Sequence, residues 1–180
     1  MIGAIVLSII CVIILIVIGS LLYGFITVPY VPTPQHILKE IEKLNLIHDN
    51  QTIVELGSGD ASFLRYFARR NVIKAYGYEI SPPLVLLSTI LAKLPKYKGS
   101  IHIQWKSYYD ADIVNADIIY TYLLPKALRS LIPLFSQMKE GAQIISYDFR
   151  IPGYEPQQTI QIGKTKKLYI YIPSAWHSET

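Results

Sequence analysis

The sequence predicts an α/β protein whose doubly wound, mostly parallel sheet of seven strands ends in an antiparallel hairpin. Short apolar runs typical of strands alternate with amphipathic stretches typical of helices between residues 52 and 147. Two further β-rich runs follow, joined by Gly163-Lys164-Thr165 with no helical stretch between them. An uncharged run at residues 2–28 precedes the whole pattern.

The uncharged run is long enough to cross a bilayer, which takes about 20 residues in a helix. No Lys or Arg precedes it and no Ala-x-Ala pattern ends it, so a cleaved signal peptide is the weaker interpretation. Every Lys and Arg follows the run, and this asymmetry favours a cytoplasmic C-terminal part. We therefore expect a single-pass membrane protein, in contact with the lipid bilayer, with a transmembrane anchor over residues 1–28. A proline-rich connector over 29–34 leads to a domain over 35–180 on the cytoplasmic side.

Net charge, cysteine count and histidine spacing exclude some kinds of site, but they do not identify what the protein binds. A formal net charge of +4 suits a surface near anionic lipid as well as a nucleic-acid binder, and it decides neither. The single cysteine, Cys11, excludes a disulfide within one chain and a cysteine zinc site. The four histidines show no metal-ligand spacing, so no metal site is expected. The oligomeric state stays open.

Local signals place each element in order. Thr33 before Pro34 is typical of a helix N-terminus, and apolar residues recur on one face over residues 34–46. The sheet strands are predicted at residues 52–56, 73–78, 101–105, 117–122 and 142–147. The helices between them are predicted at residues 62–70, 82–94 and 125–138. The terminal hairpin is predicted from strands at residues 158–162 and 168–172.

The first strand runs into the loop Gly57-Ser58-Gly59-Asp60, and a helix follows it. A dinucleotide loop reads Gly-x-Gly-x-x-Gly/Ala, whereas Ser62 stands at the last position here. Glu55 and Asp60 on either side would repel a pyrophosphate, but they suit a cofactor that carries an ammonium and a sulfonium, such as S-adenosylmethionine. Glu79 ends the second strand, where a carboxylate can bind ribose hydroxyls. A dinucleotide site and a loop without a ligand remain the alternatives.

Several motifs occur in one order along the chain. They are Pro29-Tyr30-Val31-Pro32-Thr33, Glu55-Leu56-Gly57-Ser58-Gly59-Asp60, Gly77-Tyr78-Glu79, Ala116-Asp117-Ile118-Ile119, Tyr122-Leu123-Leu124-Pro125, Ser146-Tyr147-Asp148-Phe149 and Ile151-Pro152-Gly153. As a set, they resemble the seven-strand (class I) methyltransferases. Among these, the chain is similar to the small membrane-anchored group that contains the ATP synthase c-subunit lysine methyltransferase and its bacterial and archaeal relatives. The resemblance covers residues 29–172.

The resemblance implies a Rossmann-like methyltransferase domain over residues 35–180 with S-adenosylmethionine as cofactor. It implies that the loop Gly57, Ser58, Gly59 and Asp60 wraps the methionine part, that Glu55 lies near its amino group, and that Glu79 binds the ribose. Ser107 aligns with a position near the adenine where the family tends to have an acidic residue. The sequence also departs from the family after the loop, since Ala61 and Ser62 replace the usual glycine and arginine.

The acceptor side is predicted at the C-terminal ends of the fourth and fifth strands, where open α/β sheets bind ligands. Aromatic residues cluster there in the sequence: Tyr120, Tyr122, Tyr147 and Phe149. Burial among rings lowers the pKa of an amine, and aromatic faces bind methylated ammonium groups. Tyr122 and Asp148 are the candidate catalytic residues that position the acceptor, although ring packing and a solvated turn would also account for them.

The resemblance implies that the acceptor is a lysine of a membrane or membrane-adjacent protein. A membrane lipid or quinone as acceptor, and a cofactor-binding membrane module without turnover, are the alternatives. No nucleic-acid partner is expected.

Overall fold

The structure is a computed structural model of the chain. It describes residues 2–27, 30–173 and 176, and the side chains of these except residues 2 and 20–27. The predicted end of the apolar run at Val28 and the first connector residue, Pro29, lie outside the described residues.

The described strands form one sheet in the order β3-β2-β1-β4-β5-β7-β6. The first five strands run parallel and β7 runs antiparallel to both of its neighbours. The strands are β1 (Thr52–Leu56), β2 (Lys74–Glu79), β3 (Ser100–Trp105), β4 (Ile118–Thr121), β5 (Gln143–Tyr147), β6 (Gln158–Ile162) and β7 (Lys166–Tyr171). Strand order reverses between β1 and β4, which is where sheets of this kind bind ligands at the carboxyl ends of the strands.

Helices cover both faces of this sheet. They are α2 (Gln35–Lys43), α3 (Ser62–Ala68), α4 (Pro82–Ala92), α5 (Pro125–Ser130) and α6 (Ile132–Phe135). A further helix, α1 (Ile2–Thr27), precedes them, and its side chains at residues 3–19 are exposed. One apolar core joins α2 and α3 to the sheet, and a second core joins α5 and α6 to its other face. Strands β1, β4 and β5 alternate their side chains between the two cores, which explains their nearly continuous burial.

The predicted pattern of strands and helices is confirmed, and two local predictions are wrong. The single helix predicted at residues 125–138 is two short helices that meet at Leu131. Pro133 explains the break, because proline lacks an N–H and its ring would clash with the carbonyl of Arg129. Thr33 does not cap α2; the cap position is Pro34, and the Thr33 hydroxyl bonds to Tyr120 instead.

The membrane prediction must also be corrected. Within the described part of the chain, no helix is long and apolar enough to cross a membrane. The prediction rested on the absence of charge from residue 2 to residue 28. The finding contradicts the predicted single-pass membrane protein with a cytoplasmic catalytic domain. The predicted transmembrane helix and bilayer contact lose their support with it.

Candidate active site

The loop after β1 is held by the end of β2. Gly57 and Ser58 donate their N–H groups to the Tyr78 carbonyl, both at 2.9 Å, and Gly59 donates to Glu79 Oε2 at 2.8 Å. Gly57 and Gly59 have φ values of +73° and +55°, a backbone conformation that favours glycine. Because these donors are occupied, they cannot bind a pyrophosphate as a dinucleotide loop does.

Glu79 binds the start of α4 as well as the loop. Its Oε1 accepts the N–H groups of Ile80 at 2.9 Å and Ser81 at 2.8 Å. A carboxylate offers about four lone-pair positions, so the bond from Gly59 leaves roughly one of them on Oε2 for a ligand hydroxyl. Glu79 is 9% exposed, at the C-terminal end of β2.

Asp60 is fixed by an arginine one turn later in α3. Arg65 donates from its Nε to the Asp60 carbonyl at 2.9 Å and from a terminal nitrogen to Oδ2 at 2.7 Å. Oδ1 accepts the Ser62 N–H at 2.9 Å. Ala61 lies between Asp60 and Ser62 with φ +58°, a backbone conformation that favours glycine. Arg65 therefore holds the loop although Ser62 replaces the family's usual arginine.

The connector crosses this loop. A Cβ built on Gly59 would lie 2.6 Å from Tyr30 Cε2, so the Tyr30 ring covers the glycine. Burial, followed by the charge of Asp60 and a hydrogen bond to its carboxylate, raises the pKa of Tyr30. The contact joins residues far apart in the chain, and the sequence analysis did not include Tyr30 among the site residues.

A second contact anchors the connector beneath the loop. Thr33 Oγ1 and the Tyr120 hydroxyl share a buried hydrogen bond of 2.8 Å. Tyr120 in turn stacks on Phe63 of α3, with ring centroids 3.7 Å apart. Burial raises the pKa of Tyr120, so the phenol is neutral and acts only as a hydrogen-bonding group.

Two buried polar atoms under the loop lack a hydrogen-bond partner among the described residues: Glu55 Oε2 and Ser58 Oγ. Glu55 accepts the Leu64 N–H, and burial, with the nearby charge of Asp60, raises the pKa of its carboxyl. A Cβ on Gly77 would lie 2.7 Å from Ser58 Oγ, so glycine is needed on β2 for this serine to fit. Unpaired buried polar atoms are costly, and a carboxyl among them fits a ligand that carries an ammonium group.

Tyr108 and Leu123 flank Gly57. A Cβ on Gly57 would lie 3.1 Å from Leu123 Cδ2 and 4.0 Å from Tyr108 Cδ1. Burial, with a hydrogen bond to Tyr109, raises the pKa of Tyr108 to about 12. Ser107 begins a 3₁₀ turn, where its Oγ accepts the Tyr109 N–H at 3.3 Å. The structure thus brings the Tyr108 ring, rather than the hydroxyl of Ser107, toward the loop.

Three of the four aromatic residues predicted on the acceptor side come together at the same edge of the sheet, whereas Tyr120 is buried against Phe63. Tyr122 directly follows β4, whose last residue pairs with the residue before Gly57. The Tyr122 ring lies 4.7 Å from that of Tyr147 and 6.0 Å from that of Phe149, between centroids. Burial raises the pKa of Tyr147, so this phenol is not a base at neutral pH.

Asp148 adds a carboxylate to the three rings. Its φ of +69° is unusual for a residue with a side chain, and its N–H donates to the Lys167 carbonyl at 2.7 Å. The carboxylate forms an ion pair with Lys166 Nζ at the start of β7, and the two side chains are 15% and 42% exposed. The sequence analysis did not single out Lys166, because the register of the hairpin decides what it contacts.

A cavity of about 360 Å³ lies away from this site and is lined by residues such as Lys74, Gln104 and Asn115. It contains neither the glycine loop nor the aromatic cluster. The chemistry of the loop, and not the size of a cavity, therefore identifies the candidate site.

The sequence of this site matches a known family. Residues 55–158, from Glu55 of the loop to the start of β6, match the family described as the ANTKMT methyltransferase domain. The chain belongs to this family. It is an S-adenosylmethionine-dependent methyltransferase, and the predictions of a class I methyltransferase fold, of an enzyme and of this cofactor are confirmed.

Two individual relatives of this ANTKMT-family chain are also named as methyltransferases. It is 28% identical over 152 residues to a protein-lysine N-methyltransferase of Saccharolobus islandicus (strain REY15A), covering 81% of the chain and 93% of the relative. It is 26% identical over 120 residues to the adenine nucleotide translocase lysine N-methyltransferase of Mus musculus. That match covers 66% of the chain and 52% of the relative, so the chain spans about half of the mouse protein.

A solved structure shows the same fold. It is an RNA methyltransferase from Salinibacter ruber in complex with S-adenosyl-L-homocysteine, 28% identical, with a TM-score of 0.73. The match covers 79% of the chain and 93% of the solved structure. The bound product in that structure agrees with the chemistry of the loop, where carboxyl groups surround the glycines.

Proposed function

We propose that this methyltransferase transfers a methyl group to the side-chain amine of lysine residues in proteins. The observation that carries the proposal is the meeting of the Asp148 carboxylate with three aromatic rings beside the glycine loop. A carboxylate orients an ammonium group, and aromatic faces attract it. Both named relatives are lysine N-methyltransferases, which supports the same acceptor.

The cofactor residues are proposed from the same geometry. Glu79 would hold the ribose through its remaining lone pair, and Glu55 would meet the amino group with its unpaired Oε2. The loop Gly57–Asp60 would wrap the methionine part under Tyr30, with Tyr108 and Ser107 on the adenine side. S-adenosylmethionine, when bound, supplies a methyl group that its sulfonium has already activated.

The protein's own task is to prepare the acceptor amine. An amine must lose its proton before it can accept a methyl group, and rings that exclude water favour the neutral form. Tyr122 and Tyr147 would line the amine, while Asp148 orients it and receives its proton. Positioning of this kind accounts for much of the rate where the donor is already reactive.

The purified chain should therefore label lysine when it is incubated with S-adenosylmethionine that carries a radioactive methyl group. We would offer poly-L-lysine, total RNA and lipid vesicles that contain a quinone, in separate reactions. RNA is included because of the Salinibacter relative. Methyl-lysine in hydrolysed poly-L-lysine is the expected result, with more than about tenfold less in Asp148→Asn, since hydrogen bonds to charged groups contribute about 1.5–3 kcal/mol. Label in RNA or lipid, and none in lysine, would overturn the proposal.

A further inference from the structure

An amine of the chain itself lies at the proposed acceptor position. Lys166 Nζ forms an ion pair with Asp148, and this contact raises the pKa of Lys166. The carboxylate that the proposed function assigns to an acceptor lysine, beside the rings of Tyr122, Tyr147 and Phe149, is therefore already paired with a lysine. This inference rests on the proposed function.

The backbone shows that this contact is built into the fold. Asp148 has φ +69°, and its N–H donates to the Lys167 carbonyl, so the first residues of β7 are fixed directly beside it. Tyr147 pairs with Leu168 in the same ladder. The α2 residue Glu40 also accepts the N–H of Gly163, which holds the hairpin turn from the other side. The Lys166 stem therefore starts from a rigid strand end.

The pair is also easy to exchange. The Lys166 side chain is 42% exposed, and an ion pair of that exposure contributes little net free energy. An incoming lysine offers the same charge and the same kind of donor, so it can replace Lys166 on Asp148 without leaving the carboxylate unpaired. Lys166 must therefore leave Asp148 before an acceptor lysine can bind there.

We propose that Lys166 is a specificity-determining residue that occupies the acceptor-ammonium position of the free enzyme and is displaced by the acceptor lysine. Its presence makes weak or uncharged acceptors compete with an internal ammonium group. An acceptor protein must therefore contribute further contacts to displace it. Lys166 acts on acceptor binding and leaves cofactor binding and the transfer step unchanged.

The test compares Lys166→Met, which keeps the length of the stem without its charge, with Lys166→Arg, which keeps the charge. Lys167→Met is the matched control, because that neighbouring side chain is exposed and makes no described ion pair among residues 30–173. Steady-state kinetics with poly-L-lysine measure KM and kcat. Calorimetry measures how tightly n-butylammonium binds to each protein that is saturated with S-adenosyl-L-homocysteine. A separate titration measures how tightly S-adenosyl-L-homocysteine binds to each free protein.

We expect Lys166→Met to lower KM and to bind n-butylammonium more tightly, each by about three- to fivefold, the range that a partly exposed ion pair allows. The kcat and the affinity for the product should not change, and Lys166→Arg and Lys167→Met should behave like the parent. Equal KM and equal n-butylammonium affinity in all variants, with lysine still methylated, would overturn this inference and leave the proposed function intact. Absence of lysine methylation in every protein would overturn the proposed function and this inference with it.

Mass spectrometry of the parent enzyme after turnover adds an independent outcome. Lys166 should remain unmethylated, since we propose that the acceptor lysine displaces it from Asp148 before the methyl group is transferred. A methyl group on Lys166 at a level that rises with each turnover would show that it is an acceptor and would overturn its assignment as a displaced occupant.

Discussion

Replacement of Glu79 by alanine should weaken cofactor binding. The substitution removes the carboxylate that accepts N–H groups from Gly59, Ile80 and Ser81 and that we propose to bind the ribose. One lost hydrogen bond to a charged group costs about 1.5–3 kcal/mol, which corresponds to a roughly 10- to 150-fold weaker affinity. The buried Gly59 N–H is also left without an acceptor, so the free energy of unfolding should fall by about 1–3 kcal/mol.

Calorimetric titration with S-adenosyl-L-homocysteine measures the affinity, and urea denaturation measures the free energy of unfolding. Glu79→Gln confines the change to the Oε2 side, because its remaining oxygen can still accept from Ile80 and Ser81 while the acceptor for Gly59 and the charge are lost. Glu140→Gln, in an exposed turn, is the control for loss of a carboxylate. A folded Glu79→Ala protein that binds the product as tightly as the parent would refute the proposed ribose contact.

Three other changes test the surroundings of the loop. Burial raises the pKa of Glu55, so its folded form holds a proton that the unfolded chain loses above its ordinary pKa of 4.5; stability should fall as pH rises from there. Glu55→Gln should remove this dependence of stability on pH, measured in thermal melts at pH 4–8, and should weaken product binding. An unchanged pH dependence would contradict the raised pKa of Glu55 as its cause. Thr33→Val should lower the free energy of unfolding by about 1–3 kcal/mol because it leaves the buried Tyr120 hydroxyl unpaired, and adding Tyr120→Phe should restore part of it in a double-mutant cycle. In Gly59→Ala the added Cβ would meet Tyr30 Cε2 at 2.6 Å, so this variant should have no measurable product binding. Tyr30→Ala in the same protein should recover only part of the binding, because φ +55° still strains an alanine at position 59. Full recovery would show that the clash alone matters.

The strands at residues 52–56 and 158–162 could be predicted to the residue, because turn residues mark both ends of each run. The alternation of strand and helix then determines a parallel sheet. The helix over residues 125–138 could not be predicted as two pieces from its apolar pattern alone. Proline can either break or kink a helix, and the apolar pattern around Pro133 does not distinguish the two outcomes.

Candidate site residues could be named from the sequence where they stand at the carboxyl ends of predicted strands. Glu79 and the loop after Leu56 could be named because parallel strands bring their carboxyl ends to one edge. Contacts that depend on distant pairing could not be named. Tyr30 reaches Gly59 through the path of the connector, and Lys166 reaches Asp148 through the register of β7 against β5. Neither path leaves a periodic signal in the sequence.

The hairpin that places Lys166 also has a consequence for biosynthesis. Strand β7 lies between β5 and β6, and β6 pairs only with β7, so both strands must be made before either can join the sheet. A chain that grows from its N-terminus can pair β1 to β5 and close the glycine loop while the hairpin is still inside the ribosome. Until then β5 presents an open strand edge, of the kind that recruits other chains. When the hairpin emerges, it therefore shields the nascent sheet and, in the same step, delivers the ammonium group to Asp148.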